Sequence, residues 1–234
     1  MENQDWLHDP LVRIDGERLL YRATGNLDDK LAKRWQGYHI SNRLKLEAAR
    51  YFYERLRGAG TMPDDIGLPL LAREEFKWLD AFFFELASSY DILIQELNIA
   101  FGPHLAPEQV SFAAIKDALP DTLSHYMAAE RQQSWFEKVQ KHRDTSVIHS
   151  HTLASWQVAS IGGSWDYDTH DVAIFYFEPA TGKTVTDYIS DCGACLDKMI
   201  EHVRHVWEEM TKAFGPGFIP LISPAYLRPY IESP

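Results

Sequence analysis

The chain has 234 residues, 45% hydrophobic and 13% aromatic, which is enough for a packed core and too apolar for a disordered chain. With 34 acidic against 23 basic residues, the formal net charge of −11 counts against broad nucleic-acid binding, where Lys and Arg must neutralise phosphates, but leaves room for a small basic pocket. The only cysteines are Cys192 and Cys195, which excludes a secreted disulfide framework.

The opening Met1-Glu2-Asn3-Gln4-Asp5 is acidic and polar and leads into no apolar signal segment. No apolar run is long enough to span a bilayer. The expectation is a cytoplasmic protein without a membrane partner.

Residues 1–40 read as an irregular arm, with turn signals at Asp9-Pro10, Asp15-Gly16 and Thr24-Gly25-Asn26. From Ile40 the pattern turns helical. Ser41 is a candidate cap, and Leu44, Ala48, Tyr51, Phe52 and Leu56 recur at helical spacing until Gly58 and Gly60. A second helix, over about 73–101, carries the strongest periodicity. Leu79, Phe83, Leu86, Tyr90, Leu93 and Leu97 form one stripe, while Phe82, Phe84, Ile92, Ile94 and Ile99 lie outside it. Such a helix is buried on more than one side.

Gly102-Pro103 stops that helix. A short helix is expected over 107–118 with Pro107 at its start, then another from Asp121 or Thr122 to about His142, its apolar face made by Leu123, Met127, Trp135, Phe136 and Val139. Beyond residue 152 the period shortens. Segments 155–161 and 171–177 partly alternate and predict a β-hairpin, with a candidate third strand at 184–188. A last helix from about Asp191 to Phe214 ends at Gly215-Pro216-Gly217, and a Pro-rich tail follows.

The expected fold is therefore mainly α: a helical bundle with a small antiparallel β-hairpin or three-stranded sheet inserted before the last long helix. It forms a single domain over 1–234, divided into an arm (1–40), a helical core (41–151), a hairpin (152–188), a long helix (189–214) and a tail (215–234).

The segment His142-Arg143-Asp144-Thr145-Ser146-Val147-Ile148-His149 places an Arg, a polar residue and, six positions after the Arg, a His at a helix junction. Here the sequence resembles the HEPN superfamily of helical domains, many of them RNases, whose signature is an Arg, a small polar residue and a His four to six residues after the Arg. Arg143, Asp144 and His149 match it, and the resemblance extends over about 42–151; the hairpin that follows is not part of the usual domain. The resemblance implies a site formed where two subunits join their motifs. His149 would serve as base toward a 2′-hydroxyl, and Arg143 as the cation for phosphate. The plain structural alternative is that Arg143 caps a helix C-terminus and His149 is a satisfied histidine.

On the second helix, Ser88, Asp91, Gln95 and Asn98 form a polar stripe flanked by Phe84, Ile92 and Ile99. It reads either as an ordinary exposed face or as the lining of a polar, substrate-binding pocket or a subunit interface, with Asp91 and Asn98 expected to contact the motif. Cys192-Gly193-Ala194-Cys195, near a helix start, reads as small packed residues; a redox site, or a zinc site with His202 and His205, is the alternative. His149 and His151, with His142 and His170, form a third-ranked metal reading. No Walker loop, Gly-x-Ser-x-Gly elbow or His-Glu-x-x-His is present.

The leading expectation is a metal-independent endoribonuclease or RNA-processing protein, with Arg143, His149 and Asp144 catalytic, RNA as partner, a homodimeric assembly and no cofactor. The alternative is a non-catalytic helical binding module, and a metal- or redox-binding protein comes third.

Overall fold

The computed structural model describes residues 29–59, 68–143, 157–158, 174–175 and 185–214. Its helices are α1 (Asp29–Ala59), α2 (Leu68–Ala100), α3 (Phe112–Ile115), α4 (Asp121–Glu130), α5 (Ser134–Arg143) and α6 (Val185–Phe214). The protein is mainly α-helical, and no described helix is long and apolar enough to cross a membrane. The chain divides into two compact units. The first holds Met1–Leu44, Ser89–Glu130 and Ile200–Pro234; the second holds Lys45–Ser88 and Arg131–Met199.

Helix α1 corrects two expectations. It begins at Asp29, inside the stretch read as an irregular arm, and Ser41 lies in its interior. Its buried face is Ala32, Trp35, His39, Asn42, Leu46, Ala49 and Leu56, in steps of three, four and seven. Of the apolar residues expected on its core face, Leu56 is buried and Ala48 and Phe52 are half-buried, but Leu44 is 56% exposed and Tyr51 53%. The physical reason is that the buried face includes the polar side chains of His39 and Asn42, whose burial is offset by hydrogen bonds.

Helix α2 follows its stripe. Leu79, Phe83, Leu86, Tyr90, Leu93 and Leu97 are all buried, as are Phe82, Ile94 and Ile99, while Phe84 is largely exposed. The helix begins earlier than its periodicity indicates, at Leu68. The expected helix over 107–118 is instead a 3-10 turn at Pro107–Gln109, the four-residue α3 and a second 3-10 turn at Lys116–Ala118. Pro107 does start the first turn, and the Ser111 hydroxyl caps α3 by accepting from the Ala114 amide at 3.2 Å.

The expected helix over 121–142 is two helices. Phe136 and Glu137 donate their amides to the Gln133 carbonyl, each at 3.1 Å, which starts α5 afresh. Leu123, Met127, Trp135, Phe136 and Val139 are nevertheless all buried. Helix α6 begins at Val185, so the third strand proposed at 184–188 is helix from that residue onward. Its buried residues Cys192, Cys195, Leu196, Met199, His202, Val203, Val206, Trp207 and Met210 form one face. Strands β1 (Gln157–Val158) and β2 (Ile174–Phe175) pair antiparallel, Gln157 opposite Phe175 and Val158 opposite Ile174. The rest of the expected hairpin before Val185 lies outside the described residues.

In the second unit, Tyr53 meets Phe82 at 6.4 Å between ring centroids, and Phe82 meets Phe83 edge-on. Ion pairs Lys45–Glu85 and Lys138–Asp191, each 2.8 Å, sit at its partly exposed margin, where water weakens their contribution. The core is apolar, so cavity formation should dominate its response to truncation. Leu86 is fully buried, and Leu86→Ala is expected to cost about 2–5 kcal/mol in urea unfolding; a loss well under about 1 kcal/mol would place α2 at the periphery.

Candidate functional site

Arg143 is the last residue of α5, and Lys141 and His142 share its final turn. The cations Lys141 and Arg143 at the helix C-terminus face the negative end of its dipole. His142 lies flat on Phe83, ring centroids 4.0 Å apart and planes 4° from parallel. Its pKa is lowered to about 4, chiefly by burial and further by Lys141 and Lys138. It is a neutral packing group at physiological pH. Asp144 and His149 lie outside the described residues, as do His151 and His170.

The polar stripe on α2 has a definite task at its C-terminal end. Asn98 is buried; it donates from Nδ2 to the Leu105 carbonyl at 3.1 Å and accepts the Leu105 amide at Oδ1, 3.0 Å. Gln95 donates from Nε2 to the Pro107 carbonyl at 2.9 Å. These two side chains clamp the loop that follows α2. Gly102 is required inside the clamp, since a Cβ there would lie 2.7 Å from the Asn98 carbonyl oxygen. Next to it, His104 takes a left-handed backbone with φ 57°, an unusual choice for a residue with a side chain. Asp91 is exposed and Ser88 half-buried.

The cysteines stand in the third turn of α6, because the helix begins at Val185. The N-terminal amides that would favour a thiolate are therefore out of reach. Both cysteines are buried free thiols. Burial pushes the Cys192 thiol well above its ordinary range; Cys195 and Asp191 add to this, and Lys138 opposes it. Cys195 Sγ points to the Trp135 carbonyl at 3.9 Å. Such surroundings suit packing rather than nucleophilic chemistry.

The most developed polar cluster was not singled out in the sequence. It lies wholly within the first unit and centres on Glu96, which is fully buried in α2. Trp207 of α6 donates from Nε1 to Oε2 at 3.0 Å, and Asn42 of α1 donates from Nδ2 to Oε1 at 3.0 Å. His39 of α1 places Nδ1 3.0 Å from Oε2. An oxygen already accepting from Trp207 is best matched by a donor, so His39 carries its proton on Nδ1. Ser89 donates from Oγ to Asn42 Oδ1 at 2.6 Å, fixing the amide so that its NH2 faces Glu96. The His39 ring stacks on Trp35 at 4.8 Å and tilts against Trp207 at 4.4 Å.

A carboxylate fixing a histidine tautomer is a device used to position a base. Here, however, Trp35, His39, Asn42, Ser89, Glu96 and Trp207 are all at most 1% exposed. The arrangement ties α1, α2 and α6 together. The clue in the sequence is a lone acid, Glu96, among Leu93, Ile94 and Leu97.

No family model, curated protein or solved structure matches the chain, so these residues are interpreted from their own geometry.

The tie predicts a large response to one substitution. Glu96→Ala would strand three buried donors, each costing about 1–3 kcal/mol. Urea unfolding should show a loss of about 3 kcal/mol or more; a change near zero would mean that the three donors find other acceptors.

Proposed function

We propose that the protein is a HEPN-like helical domain that acts on RNA as a metal-independent endoribonuclease. The observation that carries this reading is the placement of Arg143 in the final turn of α5, in a mainly helical chain, with Asp144 and His149 following it in sequence. In the proposed reaction, His149 removes the 2′-hydroxyl proton and the oxygen attacks the adjacent phosphorus; the P–O5′ bond breaks, the 5′-oxygen leaves and takes up a proton as a 5′-hydroxyl, and the other strand end keeps a 2′,3′-cyclic phosphate. The Arg143 guanidinium matches two phosphate oxygens as negative charge develops, and Asp144 accompanies the pair as the polar residue of the motif. Asp91 and Ser88 are the remaining stripe residues assigned to substrate; Gln95 and Asn98 would contribute through the loop they clamp. The same reading takes the segment between α5 and α6 as a β-hairpin, places the protein in the cytoplasm and pairs two copies so that both motifs meet at a two-fold axis.

A second reading, a non-catalytic binding module, is favoured by two observations. The net charge is −11, which opposes RNA, and Asn98 and Gln95 are engaged by the loop after α2. A redox or metal role ranks below both, since Cys192 and Cys195 are buried and the Cys192 thiol is disfavoured as thiolate.

Cleavage of a labelled single-stranded RNA in EDTA separates the first two readings. His149→Ala and Arg143→Ala should each lower the rate about 100-fold or more. Wild-type protein with no cleavage, but with retained partner binding in the His149→Ala variant, would favour the binding module. Sedimentation at micromolar concentration should give a dimer, and Arg143→Glu should weaken it. A clean monomer would remove the geometry of a composite site.

A further inference from the structure

In the first unit, α4 meets α6 through Tyr126 and His202. The Tyr126 hydroxyl lies 3.3 Å from His202 Nδ1, and the two rings stack at 5.4 Å with planes 19° apart. Tyr90 of α2 covers the same imidazole at 5.9 Å and 28°. One turn further along α6, His205 lies against Tyr126 at 4.0 Å. His202 is 1% exposed. None of these residues belongs to the motif or to the Glu96 cluster.

We propose that His202 is an acid-sensitive latch: protonation of its ring between Tyr90 and Tyr126 releases α4 from α6 while the Glu96-centred tie holds the three long helices of this unit.

The chemistry follows from the surroundings. Burial opposes charge on the imidazole, and His205 adds repulsion, so the pKa falls from the ordinary 6.5 to about 3. The Tyr126 hydroxyl is held above its usual range, first by burial and then by Glu130, Glu201 and Glu208, and so remains a phenol. A phenol can donate to Nδ1 while that nitrogen keeps its lone pair. Protonation makes Nδ1 a donor, and the hydrogen bond must reverse inside a stacked sandwich. The groups facing the pair are Tyr90 from α2, Tyr126 and Glu130 from α4, and Glu201, Glu208 and His205 from α6. The carboxylates act on Tyr126, and none raises His202; outward movement of α4 lets the imidazolium reach water and these acids.

Helix α4 is suited to move. It has ten residues, and its buried side chains are Leu123 and Met127. Pro120 precedes it, and so short a helix depends on its docked face for stability. The sign is that of a histidine with a lowered folded pKa. The closed arrangement is fully stable above about 6.5, and its stability declines as pH falls toward about 3, because the open state binds the extra proton.

Amide hydrogen exchange on the full-length protein, corrected for the intrinsic pH dependence of exchange, tests the latch. Between pH 7.5 and pH 4.5, protection over 121–130 should fall at least about ten-fold, while protection over 93–99 holds. His202→Phe keeps an aromatic ring and cannot titrate, so its 121–130 protection should stay level across the same range. His142→Phe, in the other unit, should leave the wild-type response in place. Loss of protection in His202→Phe equal to that of wild type would overturn the proposal. Should that variant fail to fold, the wild-type His202 ring resonance decides: a titration midpoint near 6.5 with 121–130 still protected also overturns it, and a ring that stays neutral until 121–130 opens supports it.

Discussion

The first unit depends on the burial of one carboxylate. Taking a Glu side chain out of water is unfavourable unless hydrogen bonds replace its hydration. Glu96 has three such replacements, from His39, Asn42 and Trp207. Because they come from α1 and α6 while Glu96 sits on α2, the need to satisfy one side chain fixes the rotation of three helices about their own axes in this unit. Turning α1 by one residue would remove His39 and Asn42 together, since they are three apart on one face. Ser89 adds a further constraint by holding the Asn42 amide in the donating orientation. Apolar packing alone tolerates such rotations far better, because hydrophobic contact has no direction.

That constraint also explains which parts of the fold were legible in the sequence. The stripe of α2 was visible because large apolar residues repeat on one face and all six are buried. The positions Leu123, Met127, Trp135, Phe136 and Val139 were visible for the same reason, although the break between α4 and α5 was not. The face of α1 was misread because a pattern search rewards Leu44 and Tyr51 and passes over His39 and Asn42. Only partners distant in sequence make those two residues interior: Glu96 is 57 residues from His39, and Trp207 is 111 residues from Glu96. The start of α6 was missed because Val185, Thr186 and Tyr188 favour strands, and local propensity is a weak guide when a long amphipathic helix continues beyond it.

Of the candidate site, the sequence made the residue types legible but not their engagements. Asn98 and Gln95 have the chemistry of substrate-binding groups, yet their hydrogen bonds close a loop of this chain. The reason is steric as well as polar. Gly102 brings the backbone against Asn98 more closely than any side chain would permit, and a chain turning that sharply needs acceptors and donors for its own amides. The polar stripe of α2 is thus divided, its C-terminal end serving the fold and Asp91 remaining exposed.

The described histidines divide along similar lines, and the division bears on catalysis. A general base must change charge near the working pH. His142, stacked on Phe83, and His202, stacked between two tyrosines, are both pushed well below that range by burial. His39 is fixed by Glu96 inside a sandwich of tryptophans with almost no surface. His125 is exposed, but its Nδ1 pairs with the Asp121 carbonyl at 2.7 Å, one turn back on its own helix. For His142 and His202, desolvation opposes proton exchange with a substrate. An acid–base role therefore requires a histidine with solvent contact and a neighbouring cation to receive the phosphate. In the sequence, Arg143 and His149 are the cation and the histidine of the motif, which is why the proposed chemistry is assigned to them and not to the desolvated His142 and His202.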